Sequence, residues 1–79
     1  MDFVLYQAEW DAASAKVRRR LDELLLSFYC INVYREAAQR DALQELSGQR
    51  EIPVLIDSGT VHVGERDILK HLQQYAAKR

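Results

Sequence analysis

Apolar residues recur along this chain with two alternating periods. DFVLY (2–6) is a short apolar run bearing Phe and Tyr, and it predicts a strand. Beyond it Ala13, Val17, Leu21, Leu24 and Leu25 recur mostly at spacings of four and three, with Lys16, Arg18, Arg19, Asp22 and Glu23 between them. That spacing predicts an amphipathic helix of about 15 residues. SFYCINV (27–33) is again β-branched and aromatic. REAAQRDALQELSGQ (35–49) returns to helical spacing through Ala38, Ala42, Leu43 and Leu46, with Gly48 as its stop. IPVLI (52–56) is a continuous apolar run, which predicts a strand covered on both faces. DSGT (57–60) reads as a tight turn, and TVHV (60–63) alternates as the hairpin partner. ERDILKHLQQYAAKR (65–79) sets Ile68, Leu69, Leu72, Tyr75 and Ala76 on one stripe.

The order is therefore β-α-β-α-β-β-α, an α/β fold in one domain spanning residues 1–79. Crossover rules lead to the expectation that the first and third strands lie parallel and adjacent, with the last hairpin adding an antiparallel strand at the edge. A four-stranded mixed sheet with helices on both faces follows.

Composition narrows the function classes. Apolar residues make up 48% and charged residues 29% of the 79, with a net charge of −1. Such a balance argues against a general nucleic-acid binder, whose phosphate contacts need a basic excess. No apolar run approaches the ~20 residues of a membrane span, and MDFVLYQAEW lacks the basic start and apolar core of a signal peptide. One cysteine cannot close an intrachain disulfide, so a cytoplasmic location is the expectation.

The junction AEWDAAS (8–14) joins the first strand to the first helix and holds no cysteine, histidine or glycine-rich loop. Asp11 suits an N-cap, since its carboxylate can accept from first-turn N–H groups and complement the helix dipole. Ser14, three residues on, can assist. Cys30 falls mid-strand, where a lone cysteine reads as a small buried hydrophobe. His62 and His71 are far apart in pattern and lack a third ligand, so no metal site is expected. Arg18, Arg19 and Arg20 span three helix faces, so at least one stem must pack towards the core. Tyr6 reads as a packed ring with a hydrogen-bonded hydroxyl.

FVLY (3–6), KVRRRLDEL (16–24) and GQREIPVLIDSGTVHVGERDIL (48–69), with the spacing between them, resemble the thioredoxin-like domain of glutaredoxins and of the N-terminal half of glutathione S-transferases. The resemblance covers essentially the whole chain. EIPVL is its most specific element and implies a cis bond between Ile52 and Pro53. The redox motif of that family, an aromatic followed by two cysteines separated by two residues, falls on WDAAS. Trp10 matches the aromatic, Asp11 stands in the place of the nucleophilic cysteine and Ser14 in that of the second.

Disulfide exchange needs a thiolate, which neither Asp11 nor Ser14 supplies, so the resemblance implies a module without catalytic residues or a required cofactor. Transferases of this superfamily hold the glutathione thiolate with a hydroxyl, which an ionised Asp11 would instead repel. They also carry a second, helical domain. What the resemblance retains is a glutathione groove. The Ile52 backbone before Pro53, beside Trp10, would pair with the cysteinyl unit and Arg50 would meet the glycyl carboxylate. GERD (64–67) would hold the γ-glutamyl end, with Glu65 or Asp67 accepting from its ammonium. Three positions depart from the pattern: Arg66 replaces a small hydroxyl residue, Glu51 a threonine-like one, and Ala8 falls where many glutaredoxins carry a lysine. Two classes follow. One is a non-catalytic module that binds glutathione weakly, or a protein partner, through this groove. The other is a transferase-like enzyme domain that needs another chain.

Overall fold

A computed structural model describes residues 3–77 of the chain. Asp2, at the head of the first predicted strand, and Lys78 and Arg79, at the end of the last predicted helix, lie outside the described residues. The elements are β1 (Phe3–Gln7), α1 (Ala12–Glu23), β2 (Phe28–Asn32), a 3-10 turn (Ala37–Gln39), α2 (Asp41–Ser47), β3 (Val54–Asp57), β4 (Thr60–Val63) and α3 (Glu65–Ala77).

The strands form one mixed sheet in the order β2-β1-β3-β4. β1 pairs parallel with β2, antiparallel with β3, and β3 antiparallel with β4. The expectation of parallel first and third strands is therefore corrected: they are adjacent but antiparallel. The reason lies in the second connection. α2 has seven residues, about 10 Å of rise, too little to carry the chain back along the sheet. β2 ends opposite Gln7 and β3 begins opposite Tyr6, at the same end of β1.

Alternation along β1 sends Phe3 and Leu5 to one face. There they meet Val17, Leu21 and Leu24 of the α1 region, Leu55 of β3, and Ile68 and Leu72 of α3. These eight side chains form the core, each at most 3% exposed. Pro53 through Leu55 are fully buried, as a doubly covered strand requires. The opposite face is thinly covered: of α2 only Leu43 is buried. Between Leu43 and Tyr6, Ile31 and Val33 lies a cavity of about 130 Å³.

Three local readings change. α1 ends at Glu23, and Leu25 leaves the apolar stripe for a left-handed conformation (φ 59°) with 76% exposure. Leu25 N–H donates to Asp22 O and Leu26 N–H to Leu21 O, both at 3.0 Å, which is a Schellman closure with leucine where glycine is favoured. The helix expected over 35–49 is split into the 3-10 turn and α2, and Ala38, Ala42 and Leu46 are exposed. Arg40 sits buried at the break. Finally, Cys30 is exposed, not buried, because β2 is an edge strand with little above it. The hairpin turn has positive φ at Ser58 (52°) and Gly59 (87°), the twist-matched geometry of tight hairpins. No helix of the described residues is long and apolar enough to cross a membrane.

Candidate functional site

The site begins at the turn between β1 and α1. Asp11 caps α1: its Oδ2 accepts from both Ser14 N–H and Ser14 Oγ at 2.8 Å. Ser14 is fully buried, and its Oγ accepts in turn from Ala8 N–H at 3.4 Å. Local geometry explains this, because a carboxylate at the N-cap reaches the N–H three residues on. Gln7, also fully buried, secures the turn from behind. Its Nε2 donates to Asn32 Oδ1 (2.6 Å) and Glu9 Oε2 (2.9 Å), while its Oε1 accepts from Arg18. Of the three arginines, Arg18 is therefore the one that turns to the sheet.

Trp10 is half exposed, and the Arg35 guanidinium lies 4.4 Å above its ring. This cation–π contact ties the α1 turn to the segment leaving β2. Arg40 holds that segment in place by donating to Tyr34 O (2.7 Å), Arg35 O (2.9 Å) and Arg50 O (2.9 Å). Arg50 itself donates to Asp41 Oδ1 at 2.7 Å and to Ala37 O at 3.0 Å. Its guanidinium thus faces the start of α2.

The Ile52–Pro53 bond is cis. Pro53 O accepts from Gly64 N–H at 2.9 Å, which joins this loop to the start of α3. Glu65 at that start pairs with Lys16 of α1 at 3.5 Å, and Arg66 and Asp67 point to solvent. The structure so brings Pro53 and residues 64–67 together, sets Trp10 against Arg35, and directs Arg50 to α2.

A second polar cluster lies further along α3. Asp57, 6% exposed, accepts from Tyr75 OH, from His71 Nε2 at 2.7 Å and from Ser58 Oγ at 3.2 Å. Burial alone would raise its pKa, yet the bonds from Tyr75, His71 and Ser58 together carry it below the usual carboxylate value. The Tyr75 phenol is pushed up to about 12, first by its bond to Asp57 and then by burial. The His62 ring stacks on His71 at 3.8 Å, so the two histidines meet although their spacing keeps them apart. Burial and then the charge on His71 push the His62 pKa down. Among the described residues no group of three or more His, Cys, Asp or Glu is placed to hold a metal ion.

Sequence reasoning missed Arg35, Arg40 and the Asp57 cluster. An arginine interrupting an apolar stripe was the available signal for Arg40, and His71–Tyr75 at i,i+4 for the cluster. Tyr6 is half-buried as expected, but its hydroxyl has no hydrogen-bond partner among the described residues. Partial desolvation of the Cys30 thiol against the sheet raises its pKa, Arg18 opposing and Glu9 and Asp22 assisting.

The family model for glutaredoxins matches residues 4–63. The chain belongs to the glutaredoxin family. Among solved structures it is similar to a diazinon-metabolizing glutathione S-transferase of the silkworm Bombyx mori, with 30% identity and a TM-score of 0.84 over 94% of this chain and 38% of that one. FzlA from C. crescentus is 27% identical, with a TM-score of 0.81 over 94% of this chain and 34% of its own. The Tau class glutathione S-transferase of mango, Mangifera indica, shares the fold at a TM-score of 0.86 and 17% identity, over 96% of this chain and 35% of its own. The glutaredoxin-family chain therefore spans a little over a third of the length of these structures. No curated protein matches it in sequence.

Proposed function

We propose that this chain is a glutaredoxin-family module that binds a thiol peptide such as glutathione weakly, or a protein partner, and performs no disulfide exchange. The observation that carries the reading is the head of α1. There Asp11 holds its carboxylate against Ser14, while the single cysteine lies on an edge strand. Exchange requires an attacking thiolate, and a carboxylate at a helix N-terminus repels one.

The groove keeps features that suit a peptide. Ile52, outside the strands, has backbone N–H and C=O groups without hydrogen-bond partners among the described residues, and an extended peptide can pair with such groups. Residues 64–67 open α3, where N–H groups favour a carboxylate, and Glu65 and Asp67 suit an ammonium. Arg50 contributes only by leaving Asp41 and the carbonyls of Ala37 and Ala38; the exposed ion pair is worth little, but the bonds given up offset part of what Arg50 gains, so the affinity is low.

Titration with glutathione, followed by amide shifts, tests the reading. Ile52, Glu65, Arg66 and Asp67 should move together, with millimolar affinity that weakens in Arg50→Ala. No shift up to several millimolar glutathione removes glutathione and leaves a protein partner at the groove. Turnover of a glutathione mixed disulfide that depends on Cys30 refutes the absence of exchange. The 30% identity to the silkworm transferase, over 38% of its length, favours one second reading, a transferase-like domain that works with another chain. That reading requires tight glutathione binding as a minimum, and the same titration decides it.

A further inference from the structure

The hairpin register turns a histidine of the edge strand β4 inward. Gly64 N–H donates to Pro53 O at 2.9 Å, and the pairs Leu55–His62 and Asp57–Thr60 continue that register. In an antiparallel ladder every second pair is the hydrogen-bonded one, so these pairs are its rungs. His62 therefore bonds to Leu55 through its backbone and shares a face with Leu55 and Asp57, under α3. There its ring stacks on His71 at 3.8 Å.

The two rings differ in how they can hold a proton. His71 Nε2 donates to Asp57 Oδ2 at 2.7 Å, and its Nδ1 lies 3.1 Å from the Gln74 side-chain amide. That amide can donate to the nitrogen or, turned over, accept from it, so His71 is served in both charge states. His62 is not: its Nε2 is buried without a hydrogen-bond partner among the described residues. Charging His62 would leave a buried donor without an acceptor and set like charges face to face in the stack. The other charged groups at the stack are Asp57 of β3, to which Tyr75 and Ser58 also donate, and Asp67 and Lys70 of α3, which line the open groove beside it. Asp57 and Asp67 favour a proton on His62. Burial and His71 oppose it and prevail, which holds its pKa below the ordinary value.

We infer that the His62–His71 stack is an acid-operated latch: uptake of one proton by His62 parts β4 from α3 and loosens the Gly64–Pro53 rung at the start of α3. β4 is the element that yields. It has four residues, none of them buried, and pairs with β3 alone, whereas α3 is anchored in the core by Ile68 and Leu72. The groove beside the stack admits the water that hydrates the charged ring. The latch operates whether or not the groove at Ile52 holds a ligand. In the open form His62 titrates near its ordinary value of about 6.5. The latch is therefore most firmly closed above that value. It opens as pH falls below it, by at most about tenfold per pH unit for one proton, until the lower value of the closed form is reached.

Amide hydrogen exchange from about pH 7.5 to about 5, corrected for the intrinsic pH dependence of exchange, measures the opening. The His62 and Gly64 amides should open several-fold more per pH unit below about 6.5, while the Leu5 amide on the central strand holds. His62→Phe keeps a flat ring on His71 without a titrating nitrogen and should remove the dependence. In the wild-type chain, the shifts of the carbon-bound ring protons should place His62 below its ordinary value. Opening that is independent of pH, an equal dependence in His62→Phe, or equal loosening at Leu5 overturns the latch. So does a His62 ring that titrates at or above about 6.5 in the intact fold, a measurement that stands even where the variant fails to fold.

Discussion

Arg40→Met keeps a long apolar stem at the break between the 3-10 turn and α2 but deletes the guanidinium. Three backbone carbonyls, on Tyr34, Arg35 and Arg50, lose their donor. A hydrogen bond from a charged group is worth about 1.5–3 kcal/mol net. The three are not additive, because Tyr34 and Arg35 are exposed and their carbonyls can recover water. Arg40 itself is 9% exposed, so solvent screening discounts little. The expected loss is about 2–4 kcal/mol, against a total of roughly 4–12 kcal/mol for a chain of this length. Thermal melting should fall by roughly 8–30 °C. Arg40→Lys should recover only part of it, since a point charge cannot serve three acceptors in fixed directions. Urea unfolding of the three proteins under one buffer condition measures the difference. A loss below about 0.5 kcal/mol for Arg40→Met would show that the loop after β2 is held by other contacts.

Leu25→Gly should stabilise the chain by about 0.5–1 kcal/mol: a left-handed leucine costs about 1–2 kcal/mol, of which the greater chain entropy of glycine returns part. A destabilised variant in urea would mean that the exposed Leu25 side chain contributes packing. Tyr75, raised to about 12 by Asp57, stabilises the fold below the ordinary phenol value of about 10. That contribution disappears as pH rises through the folded value. One of the four tyrosines should therefore lag in a phenolate absorbance titration, and Tyr75→Phe should abolish the lag. Asp57, with a lowered pKa, acts in the opposite direction. Its stabilisation is present above about pH 3.9 and is lost as pH falls through the folded value, so the stability gap between wild type and Asp57→Asn should narrow in acid, and again at high pH as Tyr75 ionises. A gap independent of pH would refute the role given to these bonds.

What could be read from the residue pattern was local. Element order followed from two hydrophobic periods, and the start of α1 from Asp11 and Ser14 three residues apart. Such features need only neighbours in sequence. Strand direction did not follow, because it depends on how far a connection travels, and the 35–49 stretch looked like one long helix able to span the sheet. Arg40 broke that helix through bonds to residues up to ten positions away, which no periodicity encodes. The meeting of His62 with His71 is similar: one sits on β4, the other on α3, and only the hairpin register brings them into line. Cys30 misled for the opposite reason. Its neighbours are apolar as in a core strand, and only the sheet order shows that the strand is an edge.

α2 buries a single side chain, Leu43, and a fully buried leucine contributes about 1.5–3 kcal/mol. The eight-residue core lies entirely on the other face of the sheet. The protein is thus a rigid slab of sheet, α1 and α3, with a light shutter hung on one side. Swinging that shutter open gives up the Leu43 packing and the Arg40 bonds but leaves the core intact, so residues 37–47 should exchange amide protons and admit proteases before the core does. Arg50 grips the shutter through Asp41 and Ala37. Whatever draws Arg50 away would loosen the shutter, and a loosened shutter would free Arg50, so a ligand held by that guanidinium would also reshape the far face of the sheet.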